Sequence, residues 1–275
     1  MPNHLAAMPY FGGKASRVHG TGRWIAALIG TGEECYAEVC GGMLGLMLQR
    51  PRAPKEIAND RDGLVFNWWR VVRDRHDELS ERLTWTPDLC RQTLRCAFQE
   101  VHSACPVTRA WAFTVINGMS AAQAGFGPSG HNIALTYDTK VTPRRLAVRS
   151  RLQALSERMR HVQLECTDAV GLLERVARHP DSLAYVDPPY RSVPSSPYRH
   201  SIDYEELVAA CLAARGRVAV SGYRGEYPEL EEADWSRYDH DVYTGAPAPG
   251  ALNRVPRVES LWVNFEPAGQ STLPL

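Results

Sequence analysis

Short apolar runs recur along this chain, separated by stretches of helical periodicity, and few architectures accommodate that pattern. The runs lie at residues 35–40, 56–58, 162–166, 183–186, 218–220 and 261–265. After Asp60, the residues Leu64, Trp68, Val71 and Val72 fall at helical spacing. Further on, Asp203 and Glu206 stand three residues apart, ahead of Leu207, Val208, Cys211 and Leu212. That is a capping box before an amphipathic face. Strands alternating with helices predict an α/β fold with a doubly wound, mainly parallel, Rossmann-like sheet.

The alternation breaks between residues 75 and 160, a helix-rich stretch without a convincing strand. It reads as an insertion at 75–160 into a domain built from 1–74 and 161–275, and a chain of 275 residues suits that division. The end of the insertion is basic, with Lys140, Arg144, Arg145, Arg149, Arg151, Arg158 and Arg160 against Glu157. Thr142 followed by Pro143 marks a helix start. Val148, Leu152, Leu155 and Met159 then form an apolar stripe, which turns most of the arginines outward. Such a face is either simply solvated or a contact for phosphates, which guanidinium groups bind bidentately.

Composition narrows the setting. The chain is 44% hydrophobic and 23% charged with a formal net charge of zero, so only the distribution of charge can speak for a polyanionic partner. No apolar run approaches the roughly 18 residues of a membrane span, and residues 1–10 lack the features of a signal peptide. A cytoplasmic, membrane-free protein is expected. The seven cysteines at 35, 40, 90, 96, 105, 166 and 211 include no CxxC pair. They are expected to be reduced and mostly buried, with no metal site.

The segment richest in chemistry is Leu183-Ala184-Tyr185-Val186-Asp187-Pro188-Pro189-Tyr190. An apolar strand runs straight into a carboxylate, two prolines and an aromatic ring. In open α/β sheets ligands bind beyond the carboxyl ends of strands, where this tetrapeptide falls. The prolines fix φ and remove backbone donors, leaving rigid carbonyl acceptors. An amino group conjugated to a heteroaromatic ring is a poor nucleophile, and acceptors on both of its hydrogens make it more tetrahedral and more reactive. Asp187 and the Pro188 carbonyl supply such a pair, and Tyr190 offers a flat face for a base taken out of its stack. The bland alternative is an ordinary turn, since Asp-Pro pairs form turns readily.

Other segments add to this one. Residues 36–46 read as strand, glycine turn and helix, with Gly41 and Gly42 allowing close backbone approach by a nucleoside-type cofactor. Asp60 ends the next strand, where a carboxylate suits ribose hydroxyls. Asp168 follows the strand ending near Cys166 and either faces the cofactor's adenine or caps a helix. Glu38 is open between the cofactor's amino-acid end and a backbone amide.

Here the chain resembles the Dam-type adenine-N6 DNA methyltransferases, especially their phage-like members. Pro9-Tyr10-Phe11-Gly12-Gly13-Lys14 is similar to the family's first cofactor motif. Residues 38–45 are similar to its Glu-Pro-Phe-x-Gly motif, and Asn59-Asp60-Arg61-Asp62 to its Asn-Asp-Ile-Asn segment. Asp187-Pro188-Pro189-Tyr190 matches the catalytic motif unchanged, and segments 220–223 and 259–265 resemble late family segments. Val39 and Cys40 stand where the family usually has proline and phenylalanine, and Leu44 where a glycine is frequent.

The resemblance implies methyl transfer from S-adenosylmethionine to N6 of adenine in a short duplex DNA site. Tyr10, Lys14, Glu38, Gly41, Gly42, Asp60, Asp168 and Asp187 would serve the cofactor, and Asp187, Pro188 and Tyr190 the chemistry. It further implies that 75–160 is a target-recognition domain, with Arg144, Arg145, Arg149 and Arg151 on phosphates and residues 125–131 toward the bases. Cytosine-N4 methylation, guanine-N2 methylation of RNA and a catalytically silent DNA-binding relative remain as alternatives. Cytosine-C5 methylation needs a Pro-Cys pair, and Cys105 precedes Pro106 in the wrong order. A nicotinamide dehydrogenase would need a GxGxxG spacing that the glycine turn lacks.

The phosphate reading of the basic helix has a direct test. Replacing Arg144 and Arg145 together by alanine should reduce the slope of log affinity for DNA against log salt by about 2, near 0.9 per lost phosphate contact. An unchanged slope in filter-binding titrations would return the helix to the solvated reading.

Overall fold

The computed structural model describes residues 5–8, 10, 12–14, 20–87, 90–119, 148–192, 200–243 and 256–267. Its strands are β1 (Cys35–Glu38), β2 (Lys55–Asn59), β3 (Val162–Glu165), β4 (Ser182–Val186), β5 (Arg217–Tyr223), β6 (Ser236–Tyr243) and β7 (Pro256–Val263). Its α-helices are α1 (Thr21–Ile29), α2 (Gly63–Asp74), α3 (His76–Thr84), α4 (Arg91–Glu100), α5 (Pro106–Met119), α6 (Leu152–Met159), α7 (Ala169–Ala177), α8 (Tyr204–Leu212) and α9 (Pro228–Glu232). The strands form one 7-stranded sheet in the order β3-β2-β1-β4-β5-β7-β6. From β3 to β5 all neighbours are parallel, and β7 runs antiparallel to both β5 and β6. The α/β expectation holds.

Strand alternation divides the core into two layers. Leu183 and Tyr185 point to one face of β4, where α1 to α6 pack, and Ala184 and Val186 to the other, under α7, α8 and α9. Both expected helix starts are capped. The Asp62 side chain accepts from Leu64 N at 2.7 Å, and Asp203 accepts from Glu205 N at 3.0 Å and Glu206 N at 3.1 Å. Leu64, Trp68, Val71 and Val72 are buried as their spacing predicts, whereas Leu212 is exposed.

Several expectations need correction. Strand β6 escaped notice because Ser-Arg-Tyr-Asp-His-Asp-Val-Tyr lies at the sheet edge, where charged side chains are tolerated and no apolar run is needed. Only Cys211 among the cysteines is fully buried, and Cys105 and Cys166 are exposed; none of the described cysteines is in a disulfide. The stripe Val148, Leu152, Leu155 and Met159 is buried as expected, but its arginines do not all face out. Arg158 turns inward, clamping Glu56 of β2 at 2.6 and 2.7 Å and reaching Met47 O at 3.0 Å. A carboxylate on β2 that is nearly out of solvent requires such a partner.

The helices of the interrupted stretch join the main core. Leu79 of α3, Leu94 of α4 and Phe113 of α5 belong to the same apolar cluster as Tyr36 of β1 and Ala58 of β2. Trp68 Nε1 of α2 donates to Thr114 Oγ1 of α5 at 2.9 Å, inside that cluster.

Asn59, 2% exposed, ties three strand ends together. Its Nδ2 donates to Val39 O at 2.8 Å and Thr167 O at 3.2 Å, and its Oδ1 accepts from Thr167 N at 2.9 Å. The turn beyond β1 contains Leu44 at φ 50, in the left-handed region, with its side chain 1% exposed. That backbone costs about 1–2 kcal/mol for a residue with a Cβ. Losing a buried leucine side chain costs about 2–5 kcal/mol, so burial outweighs strain. Leu44→Gly should therefore lower stability by about 2 kcal/mol, although glycine is the residue that this backbone favours. A denaturant midpoint that rises instead would show that strain dominates.

Candidate active site

Beyond the carboxyl ends of β1, β2 and β4 lies an open cleft of about 910 Å³, the solvent at its mouth included. It is lined by Tyr10 and Lys14 from the N-terminal segment, Glu38 to Met43 after β1, and Asp60 to Asp62 after β2. Asp168 follows β3, Asp187 and Pro189 follow β4, and residues 200–202 close one side. Tyr10, Lys14, Glu38, Gly41, Gly42, Asp60, Asp168 and Asp187, scattered in the sequence, thus share one cavity.

Backbone chemistry shapes its floor. Gly41 N donates to Asn59 O at 2.7 Å, and a Cβ on Gly41 would lie 2.6 Å from Leu44 Cδ2. Gly42 has φ 49, donates to Asp60 Oδ2 at 2.8 Å, and accepts at its carbonyl from Trp69 Nε1 at 2.8 Å. The Tyr10 ring lies over Gly42, where a Cβ would come within 3.4 Å of it. On its other side Tyr10 meets Phe113 of α5, with centroids 6.1 Å apart.

Glu38 and Asp168 both make the structural contacts that were among their alternatives. Glu38, 2% exposed, accepts from Met47 N and from Tyr36 OH at 3.1 Å. Burial raises its pKa from 4.5 to about 8, although those hydrogen bonds favour the charged form. Asp168 caps α7 through Val170 N at 3.0 Å and Gly171 N at 3.3 Å, and pairs with Arg61 at 3.2 Å. Both still line the cleft.

At the catalytic tetrapeptide, Asp187 Oδ1 receives Lys14 Nζ at 2.9 Å, and Oδ2 has no hydrogen bond from a described residue. Lys14 also reaches Glu259 Oε1 at 2.9 Å and Tyr190 OH at 2.8 Å. The Tyr190 hydroxyl donates to Glu259 and lies 3.3 Å from Asp187 Oδ1. Burial pushes the Asp187 pKa up and Glu259 adds to that, while Lys14 holds it down. For Lys14 burial works against the charge, but the paired carboxylates prevail and its pKa rises. Pro188 is buried and Pro189 lines the cleft, its carbonyl accepting from Tyr204 OH. The Tyr190 ring meets Tyr223 edge-on, with centroids 4.6 Å apart.

Among the expected phosphate contacts, Arg144 and Arg145 lie outside the described residues, as do 125–131. Arg149 is partly exposed, and Arg151 donates to Ala7 O at 3.0 Å. Sequence reasoning missed Glu259 as a site residue. Its signal was a carboxylate flanked by the apolar residues of a C-terminal strand, but the partner that gives it meaning stands at the other end of the chain.

The D12 class N6 adenine-specific DNA methyltransferase model matches residues 10–206. The chain belongs to that family. It is an adenine-specific DNA methyltransferase, which implies S-adenosylmethionine as its methyl donor. Solved structures align with it at low identity. A precorrin-6y C5,15-methyltransferase from Geobacter metallireducens GS-15 aligns over 93% of each chain, with 8% identity and a TM-score of 0.41. SMU.1697c from Streptococcus mutans, solved in complex with SAH, aligns over 90% of this chain and 98% of its own, with 12% identity and a TM-score of 0.35. No curated protein matches the sequence. Among the described residues no helix of the methyltransferase is long and apolar enough to cross a membrane, and no His, Cys, Asp and Glu cluster could hold a metal.

The raised pKa of Glu38 has a consequence for stability. A carboxyl group at about 8 when folded and 4.5 when unfolded stabilises fully below pH 4.5 and loses that contribution as pH rises toward 8. Glu38→Gln keeps an acceptor for Met47 N and Tyr36 OH without a titrating group. Its melting temperature should gain on the wild type between pH 5 and pH 9. Parallel melting curves for the two proteins across that range would refute the shift.

Proposed function

We propose that this methyltransferase acts on adenine N6 in a short duplex site by direct attack, with the target base rotated out of the helix. One observation carries the reading. Asp187 stands at the cleft with Oδ1 fixed by Lys14 and Oδ2 without a described protein partner. An acceptor held at one oxygen and open at the other is what an amino group needs in order to be oriented and relieved of a proton.

The donor set fits the cofactor. The glycine turn that a Cβ would crowd, the Tyr10 ring over Gly42 and the Asp60 carboxylate after β2 suit a nucleoside with an amino-acid tail. When bound there, S-adenosylmethionine supplies an electrophilic methyl group on a sulfonium. The chain's own residues do the rest. Asp187 and the Pro188 carbonyl accept from the N6 hydrogens, concentrating the lone pair on nitrogen. Tyr190, its hydroxyl fixed by Lys14 and Glu259, keeps its ring beside the base. Neither a metal nor a covalent intermediate is required. Residues 75–160 would supply target recognition, with arginines such as Arg149 toward phosphates.

The test is transfer of labelled methyl from S-adenosylmethionine to unmethylated genomic DNA, with nucleoside analysis of the product. N6-methyladenine is expected. N4-methylcytosine would move the substrate, and an unlabelled product with cofactor bound would favour RNA or a silent binder. Asp187→Ala should lower turnover at least about a hundredfold with the fold intact, and retained turnover would refute its role.

A further inference from the structure

Glu259 sits on β7 and is 7% exposed, so its charge needs a reason. It shares Lys14 with Asp187, both ion pairs at 2.9 Å, and the Tyr190 hydroxyl donates to it. Among the described residues these two carboxylates share one ammonium, which leaves one negative charge without a cationic partner there. Lys14 and Asp187 line the cleft, whereas Glu259 stands behind them and does not. Its cross-strand partners are Tyr223 on β5 and His240 on β6, the latter stacked on Trp24 with centroids 5.0 Å apart. Arg257, two residues earlier, is held by Tyr223 OH at 2.8 Å. The Glu259 carboxylate itself is met by Lys14 and by the Tyr190 hydroxyl.

A lysine and a single aspartate would make a neutral pair, sufficient to hold the catalytic loop. The second carboxylate changes two things. It competes with Asp187 for the same ammonium at an equal distance of 2.9 Å. It also turns the Lys14–Asp187 part of the cleft wall from neutral to net negative, on the side where a sulfonium would bind.

We propose that Glu259 is a positioning residue that sets the charge of this wall, so that the cleft favours the cationic methyl donor over its neutral thioether product. The inference rests on the reading of the cleft as the S-adenosylmethionine site. Donor and product differ at the sulfur by one methyl group and one positive charge, and the negative wall discriminates by the charge. After transfer the attraction is gone and the product leaves.

The test is calorimetric titration of the purified protein with S-adenosylmethionine and separately with S-adenosylhomocysteine, in the wild type, Glu259→Gln and Glu259→Asp. The glutamine variant keeps an acceptor for Lys14 and Tyr190 but removes the charge. It should lower the ratio of donor to product affinity by about tenfold, the order of a unit charge acting through partly screened protein. Affinity for the neutral product should change little, which also reports that the variant is folded. Glu259→Asp, retaining the charge, should restore most of the ratio. A ratio within about twofold of wild type in the glutamine variant, or equal loss of both ligands in both variants, would overturn the proposal and leave Glu259 a structural partner of Lys14. A wild type that binds neither ligand would instead overturn the cleft reading, and this inference with it.

Discussion

The winding of the sheet reverses at β1, which lies between β2 and β4, and the site depends on that reversal. Connections leaving β1 and β4 depart toward opposite faces, so a crevice opens at their carboxyl ends. Asn59 holds the floor of that crevice by joining the ends of β1, β2 and the segment after β3 in one hydrogen-bond set. Glu38, Asp60, Asp168 and Asp187 all follow or end strands there. Each comes to line the same cavity because parallel strands deliver their carboxyl ends to the same edge.

Gathering carboxylates in one place creates an electrostatic problem that the fold answers locally. Asp60 is held by backbone amides at Gly42 and Asp62, and Asp168 by the first turn of α7 and by Arg61. Glu38 responds to burial with a raised pKa. Asp187 alone has a lysine brought from 173 residues away, and Glu259 shares it. The N-terminal segment, the catalytic loop and β7 are therefore one electrostatic unit, although they are remote in sequence.

The interrupted stretch illustrates how far pattern reasoning extends. Its lack of strands was visible in the sequence, and the described residues there are helical. That α3, α4 and α5 share a core with α2 was not visible, because an amphipathic stripe states that a face is buried and not against what. The same limit explains Arg158. As one of several arginines beside an apolar stripe it looked like its neighbours, and only the arrival of Glu56 from β2 separates it from them.

What the sequence determined by itself is local. Alternating periodicities specified an α/β sheet, Asp203 marked the start of its helix, and an unaltered Asp-Pro-Pro-Tyr after an apolar strand pointed to chemistry on an amino group. Edge strand β6 lacked the apolar run by which strands are recognised, since one of its flanks has no neighbour to pack against. The tertiary structure decided what depends on distance between remote residues: that Glu38 serves a backbone amide, that Asp168 caps a helix, and that Lys14, Asp187, Tyr190 and Glu259 meet. Charges interact through space with a strength set by separation and burial, and neither quantity is written along the chain.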